Sequence, residues 1–179
     1  MSGHRVSGRG LVPAFLWQAS GMNAGADSRD LRRDDFPVLR ALPTRWSDDD
    51  VYGHVNNVVH YLMFDTAVNG WLIEASGTDI RRLPTIGVVV ETSCRYFAEL
   101  RFPEVVTAGI RLERLGNTSV IYELALFGER REEPAAVGRF VHVYVDAATR
   151  SPVAVPDEIR GALRLLEKRA DEPGGGGAR

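Results

Sequence analysis

Cysteine and lysine are nearly missing from this chain: Cys94 is the single cysteine and Lys168 the single lysine among 179 residues. One cysteine excludes an internal disulfide and any zinc site built on paired thiolates. Within a predicted strand, Cys94 reads as a small buried residue rather than a reactive thiol. The formal charge is only −2, so neither a basic excess that would point to nucleic acid nor an acidic tail is present. The arginine bias reads as a coding preference, not as a phosphate-binding surface. No apolar run approaches the ~20 residues that a membrane-spanning helix needs. The serine-hydrolase elbow G-x-S-x-G and the Walker and Rossmann fingerprints do not occur. His54 and His60 stand six apart, not at the helical spacing of four used by paired metal ligands. No metal, no cofactor, no nucleic acid and no membrane are therefore expected.

What the chain does have is one domain's worth of periodic apolar sequence. Residues 1–37 are rich in Gly, Ser and Arg without sustained periodicity and read as a flexible N-terminal extension, with Arg29 to Asp35 a solvated lead-in. The apolar segment Leu11 to Trp17 follows Arg5 and Arg9, but it is short, broken by Pro13 and lacks a small-residue cleavage site. It is not read as a signal peptide, and a cytoplasmic location is expected. Met22 is an alternative start.

A domain is expected over residues 38–170. Val38 to Trp46 reads as the first strand. Val58, Tyr61, Leu62, Phe64, Val68, Trp71, Leu72 and Ala75 recur at helical spacing and predict one long, largely buried helix. Ser76-Gly77 ends it, with the glycine supplying a left-handed residue. Gly70 within it suggests close packing. Ile86 to Val90 is a nearly continuous β-branched run, read as a strand buried on both faces that continues through Tyr96. Glu104 to Arg114 alternates, with Val106, Ala108, Ile110 and Leu112 on one face. Gly116-Asn117 signals a hairpin into Thr118 to Phe127. After a charged turn, Ala135 to Val145 forms the last strand, with Val137, Val141, Val143 and Val145 inward or at an interface. His142 in that strand reads as a satisfied core or interface histidine. Pro156-Asp157-Glu158 opens a final helix whose apolar face is Ile159, Leu163 and Leu166. Residues 171–179 read as a disordered tail. One helix followed by antiparallel strands makes an α+β domain.

The most informative stretch is Asp48-Asp49-Asp50-Val51-Tyr52-Gly53-His54-Val55-Asn56-Asn57, a polar loop feeding the long helix. A carboxylate beside the free N–H groups of a helix N-terminus can bind and polarise a carbonyl. The pattern D-x-D-x-x-G-H-V-N-N followed by Tyr61, Phe64 and Trp71 resembles the hotdog-fold acyl-CoA thioesterases related to 4-hydroxybenzoyl-CoA thioesterase. The resemblance runs from about Leu39 to Pro156 and takes in Tyr96 to Leu100 and Arg114 to Ser119. It implies a hotdog fold, an antiparallel sheet wrapped around one long central helix. It also implies an acyl-CoA substrate cleaved to a carboxylic acid and free coenzyme A. Such proteins associate through the sheet, which leads to an expected homodimer or homotetramer.

Carried over residue by residue, the resemblance makes Asp50 the catalytic carboxylate, either nucleophile or general base. Asp48 and Asp49 remain turn residues. Asn57 becomes the donor of the polarising N–H, and its side chain could also cap the helix. Gly53 would turn the chain and admit substrate beside Val58 and Tyr61. His54 could position water or the aspartate, or only fill a loop hydrogen bond. Some relatives carry histidine where Asn57 stands. The competing readings are an acyl carrier protein thioesterase, a hotdog hydratase or dehydratase, and a non-catalytic acyl-thioester-binding protein.

Overall fold

The computed structural model of the chain describes residues 28–167. In chain order they form β1 (Val38–Pro43), α1 (Asn57–Ser76), β2 (Thr85–Tyr96), β3 (Val105–Leu115), β4 (Ser119–Phe127), β5 (Ala136–Asp146) and α2 (Asp157–Glu167). The five strands make one antiparallel sheet in the order β1-β3-β4-β5-β2. The sheet wraps α1, which is the hotdog arrangement expected from the resemblance. The expected flexible segment over residues 1–27 and the expected tail over 171–179 lie outside the described residues. None of the described helices is long and apolar enough to cross a membrane.

The helix-facing side of the sheet follows the period-2 rule of a strand with one buried face. Val106, Ala108 and Ile110 of β3 and Val120, Tyr122, Leu124 and Leu126 of β4 are fully buried there. Phe64, Ala67 and Val68 of α1 meet them and are equally buried. Burying a ring such as Phe64 stabilises the fold by roughly 1.5–3 kcal/mol. Its seat on β5 exists because Gly138 has no side chain: a Cβ there would stand 2.7 Å from Phe64 Cζ. Ile159, Leu163 and Leu166 of α2 close the same core. Gly77 ends α1 at φ 64°, a left-handed conformation that glycine adopts without a steric penalty.

Four expectations need correction. The first strand stops at Pro43, and Trp46 instead begins a short 3₁₀ turn through Asp48. The lead-in over Arg29 to Asp35 is not merely solvated, and the packed unit begins before residue 38. Leu31 and Phe36 are buried against Ala125, Phe127 and Val137 on the outer face of the sheet. The Phe36 ring sits edge-on to Phe127 at 5.8 Å and occupies the space a Gly109 side chain would need, 2.6 Å from Cγ. For β5 only the inward alternative is corrected: the helix-facing residues are Ala136, Phe140, His142 and Tyr144, while Val141 and Val143 lie half-buried on the opposite face, where an interface could still cover them. Finally, β2 is not buried on both faces. It is an edge strand, with Val88, Val89 and Val90 exposed by 38, 40 and 58%. A register shift between Val89 and Glu91 puts Val90 out of step with β5.

Candidate active site

The acidic loop is held at both ends before any chemistry is asked of it. Asp48 is buried, and its carboxylate accepts the Arg45 backbone N–H at 2.8 Å while pairing with the Arg45 guanidinium at 2.9 Å. Its carbonyl accepts from Asn56 N–H at 2.8 Å, which closes the loop from entry to exit. Asp49 bridges to Val55, and its carboxylate accepts the Phe102 N–H at 3.2 Å, fixing the β2–β3 connection against the loop. Val55 N–H in turn donates to Leu100 O at 2.8 Å. Both acids are thus committed to backbone partners. Asp48 is a buried anchor rather than a solvated turn residue.

Asp50 is placed differently. It stands half-buried at the base of a tight turn, with its N–H donating to His54 O at 2.8 Å and its carbonyl accepting from Gly53 N–H at 3.1 Å. Gly53 makes that turn at φ 78°, where a side chain would be strained. One carboxylate oxygen, Oδ1, accepts from Tyr52 N–H at 2.8 Å, an Asx-turn that fixes the side chain's direction. Its other oxygen takes no hydrogen bond among the described residues.

Across the loop, α1 begins at Asn57, and the cap is Asn56 rather than Asn57. Asn56 Oδ1 accepts from Val58 N–H at 3.0 Å, and Asn56 O accepts from Val59 N–H at 2.9 Å. The first N–H groups of a helix have no intrahelical acceptor. Here the cap satisfies those of Val58 and Val59 and leaves the Asn57 N–H without an acceptor among the described residues. That N–H also sits at the positive end of a 20-residue helix.

His54 does not reach the Asp50 carboxylate with its ring. Its Nε2 lies 3.1 Å from Glu99 Oε2 and 3.3 Å from Arg101 Nη2, and Arg101 donates to the same glutamate oxygen at 2.7 Å. Arg101 first, and His54 after it, hold the Glu99 carboxyl below the usual carboxylate range. Neither Glu99 nor Arg101 was singled out as a site residue from the sequence. The only sequence signal was the membership of Glu99 in the Tyr96 to Leu100 stretch.

The sequence model of the thioesterase-like superfamily matches residues 44–163, from the end of β1 into α2. The chain belongs to this superfamily. It is a thioester hydrolase with the hotdog fold. Among solved structures, it is similar to the PA5185 protein of Pseudomonas aeruginosa, with 52% identity, 75% of this chain and 94% of that one covered, and a TM-score of 0.73. It is also similar to a Thermus thermophilus thioesterase complexed with coenzyme A and Zn, at 28% identity, with 75% and 96% covered and a TM-score of 0.64. The uncharacterised protein YsmA of Bacillus subtilis is 24% identical over 132 residues, 73% of this chain and 88% of its own.

In this thioesterase Asp50, Gly53 and His54 share one tight turn, and Asn57 opens α1 after it. Val58 follows them on the exposed side of the helix, and Tyr61 is half-buried with its ring edge-on to Phe64 at 6.5 Å. Phe64 and Trp71 are core residues. His60 is buried under Tyr96, with ring centroids 5.0 Å apart, and burial lowers its pKa. Burial pushes the Cys94 thiol up, which suits an inert residue. No three His, Cys, Asp or Glu side chains converge as a metal site among the described residues.

Proposed function

We propose that the thioesterase hydrolyses acyl-CoA thioesters, with Asp50 as the essential carboxylate and the Asn57 N–H as the group that polarises the carbonyl. The observation that carries this reading is that the loop's own hydrogen bonds leave one Asp50 oxygen and the Asn57 N–H at the helix start uncommitted, a carboxylate and a donor of the kinds the reaction needs. Thioester cleavage needs a base or nucleophile and a donor for the oxyanion. As a base, Asp50 takes a proton from water while the water oxygen bonds to the acyl carbon. The carbonyl oxygen gathers charge against the Asn57 N–H, the C–S bond breaks, and the departing thiolate takes up a proton. As a nucleophile, Asp50 bonds to the acyl carbon directly, expels the thiolate and leaves a mixed anhydride for water to open. Coenzyme A is the preferred carrier because the Thermus relative was solved with it.

The assembly belongs to the same proposal. Val88, Val89 and Val90 on the β2 edge are exposed, as are Val58 and Leu62 on α1 by 67 and 47%. An unpaired, apolar strand edge is a template for another strand. Pairing of two β2 edges gives a homodimer, or a tetramer of such dimers, with active sites at the subunit boundary and a cytoplasmic location. Thiol release from a panel of acyl-CoA and acyl carrier protein thioesters tests the reaction. Hydrolysis of acyl-CoA supports it, whereas release from the carrier protein alone would move the assignment to that carrier.

A further inference from the structure

His60 is the only polar side chain that α1 buries, at 3% exposure. Tyr96 covers its ring edge-on, with centroids 5.0 Å apart. Its Nδ1 lies 3.1 Å from the Asn56 carbonyl oxygen, one turn back, and its Nε2 has no hydrogen-bond partner among the described residues. A carbonyl oxygen only accepts, so Nδ1 carries the proton and Nε2 is the bare acceptor of a neutral imidazole. Burial lowers the His60 pKa, against a weaker opposing pull from that carbonyl, so the ring is neutral near pH 7. Leaving a buried nitrogen unpaired is costly, and an apolar ring of similar shape would avoid that cost. What histidine supplies at this position, and phenylalanine would not, is the Nδ1–H on Asn56.

The carbonyl it holds belongs to one particular peptide. The Asn56–Asn57 unit is planar and trans, so its C=O and its N–H point in opposite directions. The C=O turns into the helix, where it accepts from Val59 N–H at 2.9 Å and from His60 Nδ1. The N–H turns out of the helix start and has no acceptor among the described residues. Donors on the C=O side fix the tilt of the peptide plane, and therefore the direction of the N–H. They also polarise the amide, since linked hydrogen bonds strengthen one another by roughly 10–30% per bond.

We infer that His60 is a positioning residue: from the far side of the Asn56–Asn57 peptide, its Nδ1–H aims and strengthens the Asn57 N–H as an oxyanion donor. The inference rests on the proposed function for the role of that N–H. His60 itself is buried under Tyr96 and acts only through the peptide.

The first test needs no substitution. ¹⁵N shifts of the His60 imidazole in the full chain near pH 7 should show the Nδ1–H tautomer, and the Nε2–H tautomer would overturn the inference. His60→Phe then keeps a ring and removes the donor. His60→Asn restores a donor, because Asn69 Nδ2 already reaches the Asp65 carbonyl four residues back in the same helix, at 3.0 Å. The Asn56 carbonyl ¹³C shift should move in His60→Phe and return towards the parent value in His60→Asn. In thiol release from an acyl-CoA, His60→Phe should lose about 3- to 10-fold in kcat, the effect of one hydrogen bond, with KM nearly constant. His60→Asn should recover most of that loss. In an Asn57→Pro background the N–H is absent, so His60→Phe should lower kcat no further. A loss of the same size in that background, or His60→Asn no better than His60→Phe, would mark a merely structural residue and overturn the inference. The tautomer and the carbonyl shift are read without turnover, so the two possible failures separate. Full activity in Asn57→Pro sinks the proposed donor, whatever the shifts show. A donor that matters, with an Asn56 carbonyl unmoved in His60→Phe, overturns the role of His60 alone.

Discussion

Replacing Gly138 with alanine adds one methyl group where α1 rests on the sheet. The new Cβ would stand 2.7 Å from Phe64 Cζ and 2.9 Å from the Ser93 carbonyl oxygen, both well inside van der Waals contact. The ring cannot simply rotate away, because Phe64 is fully buried and packs edge-on to Phe140 at 5.8 Å. The Ser93 oxygen is backbone, on the strand that pairs with β5 at this point. Overpacking a core generally costs about 1–3 kcal/mol, and a clash with both a fixed ring and a backbone atom belongs at the upper end. For a chain of this size that is a fall in Tm of about 4–12 °C. Urea denaturation at fixed protein concentration measures it, since assembly would otherwise shift the apparent stability. The double variant Gly138→Ala with Phe64→Leu should recover part of the loss, because the smaller side chain relieves the ring but not the carbonyl. The two changes should therefore couple by 0.5 kcal/mol or more. A neutral Gly138→Ala, or strict additivity with Phe64→Leu, would refute the packing argument.

Asn57→Pro should leave stability nearly unchanged while removing about 10²- to 10³-fold in kcat, because proline suits the first helical position and lacks only the N–H assigned to the oxyanion. Asn56, at φ −58° and ψ 142°, already has the extended conformation that a residue before proline requires; activity equal to that of the parent chain would count against the donor assignment. Acid should destabilise the fold through His142, whose folded pKa of about 4 lies below the ordinary histidine value of 6.5 because of burial. The unfolded chain binds the extra proton between those values, so stability falls as pH drops from about 6.5 towards 4, by ~3 kcal/mol at most. His142→Phe should flatten urea midpoints over that window, and an unchanged slope would contradict the assignment.

The parts of the fold that a local pattern determines were legible in the sequence. Helical spacing from Val58 to Ala75 with Gly77 behind it located α1 to within a residue, and alternation at Val106, Ala108 and Ile110 located the buried face of β3. What a local pattern cannot carry was missed. A β-branched run such as Ile86 to Val90 reads alike whether it is covered by its own chain or awaits another. Phe36 depends on the missing side chain at Gly109, 73 positions away, and no periodicity announces that match. Two adjacent asparagines left the cap ambiguous by one residue. Within the loop, the resemblance singled out Asp50, but the ties of Asp48 to Arg45 and of Asp49 to Phe102 appear only in the folded chain. The approach of His54 to Glu99 and Arg101 likewise spans two segments distant in sequence.

The most direct test of the catalytic assignment compares Asp50→Asn with Asp49→Asn on one acyl-CoA, following thiol release after circular dichroism has shown both variants to be folded. Asparagine preserves the acceptor that Tyr52 N–H uses and removes the charge and basicity. Asp50→Asn should therefore lose at least ~10²- to 10⁴-fold in kcat, and more if Asp50 forms the anhydride. Asp49→Asn, which perturbs only the contact to Phe102, should retain most activity, with KM little changed in both. Equal activity in the two variants would contradict the assignment of the chemistry to Asp50.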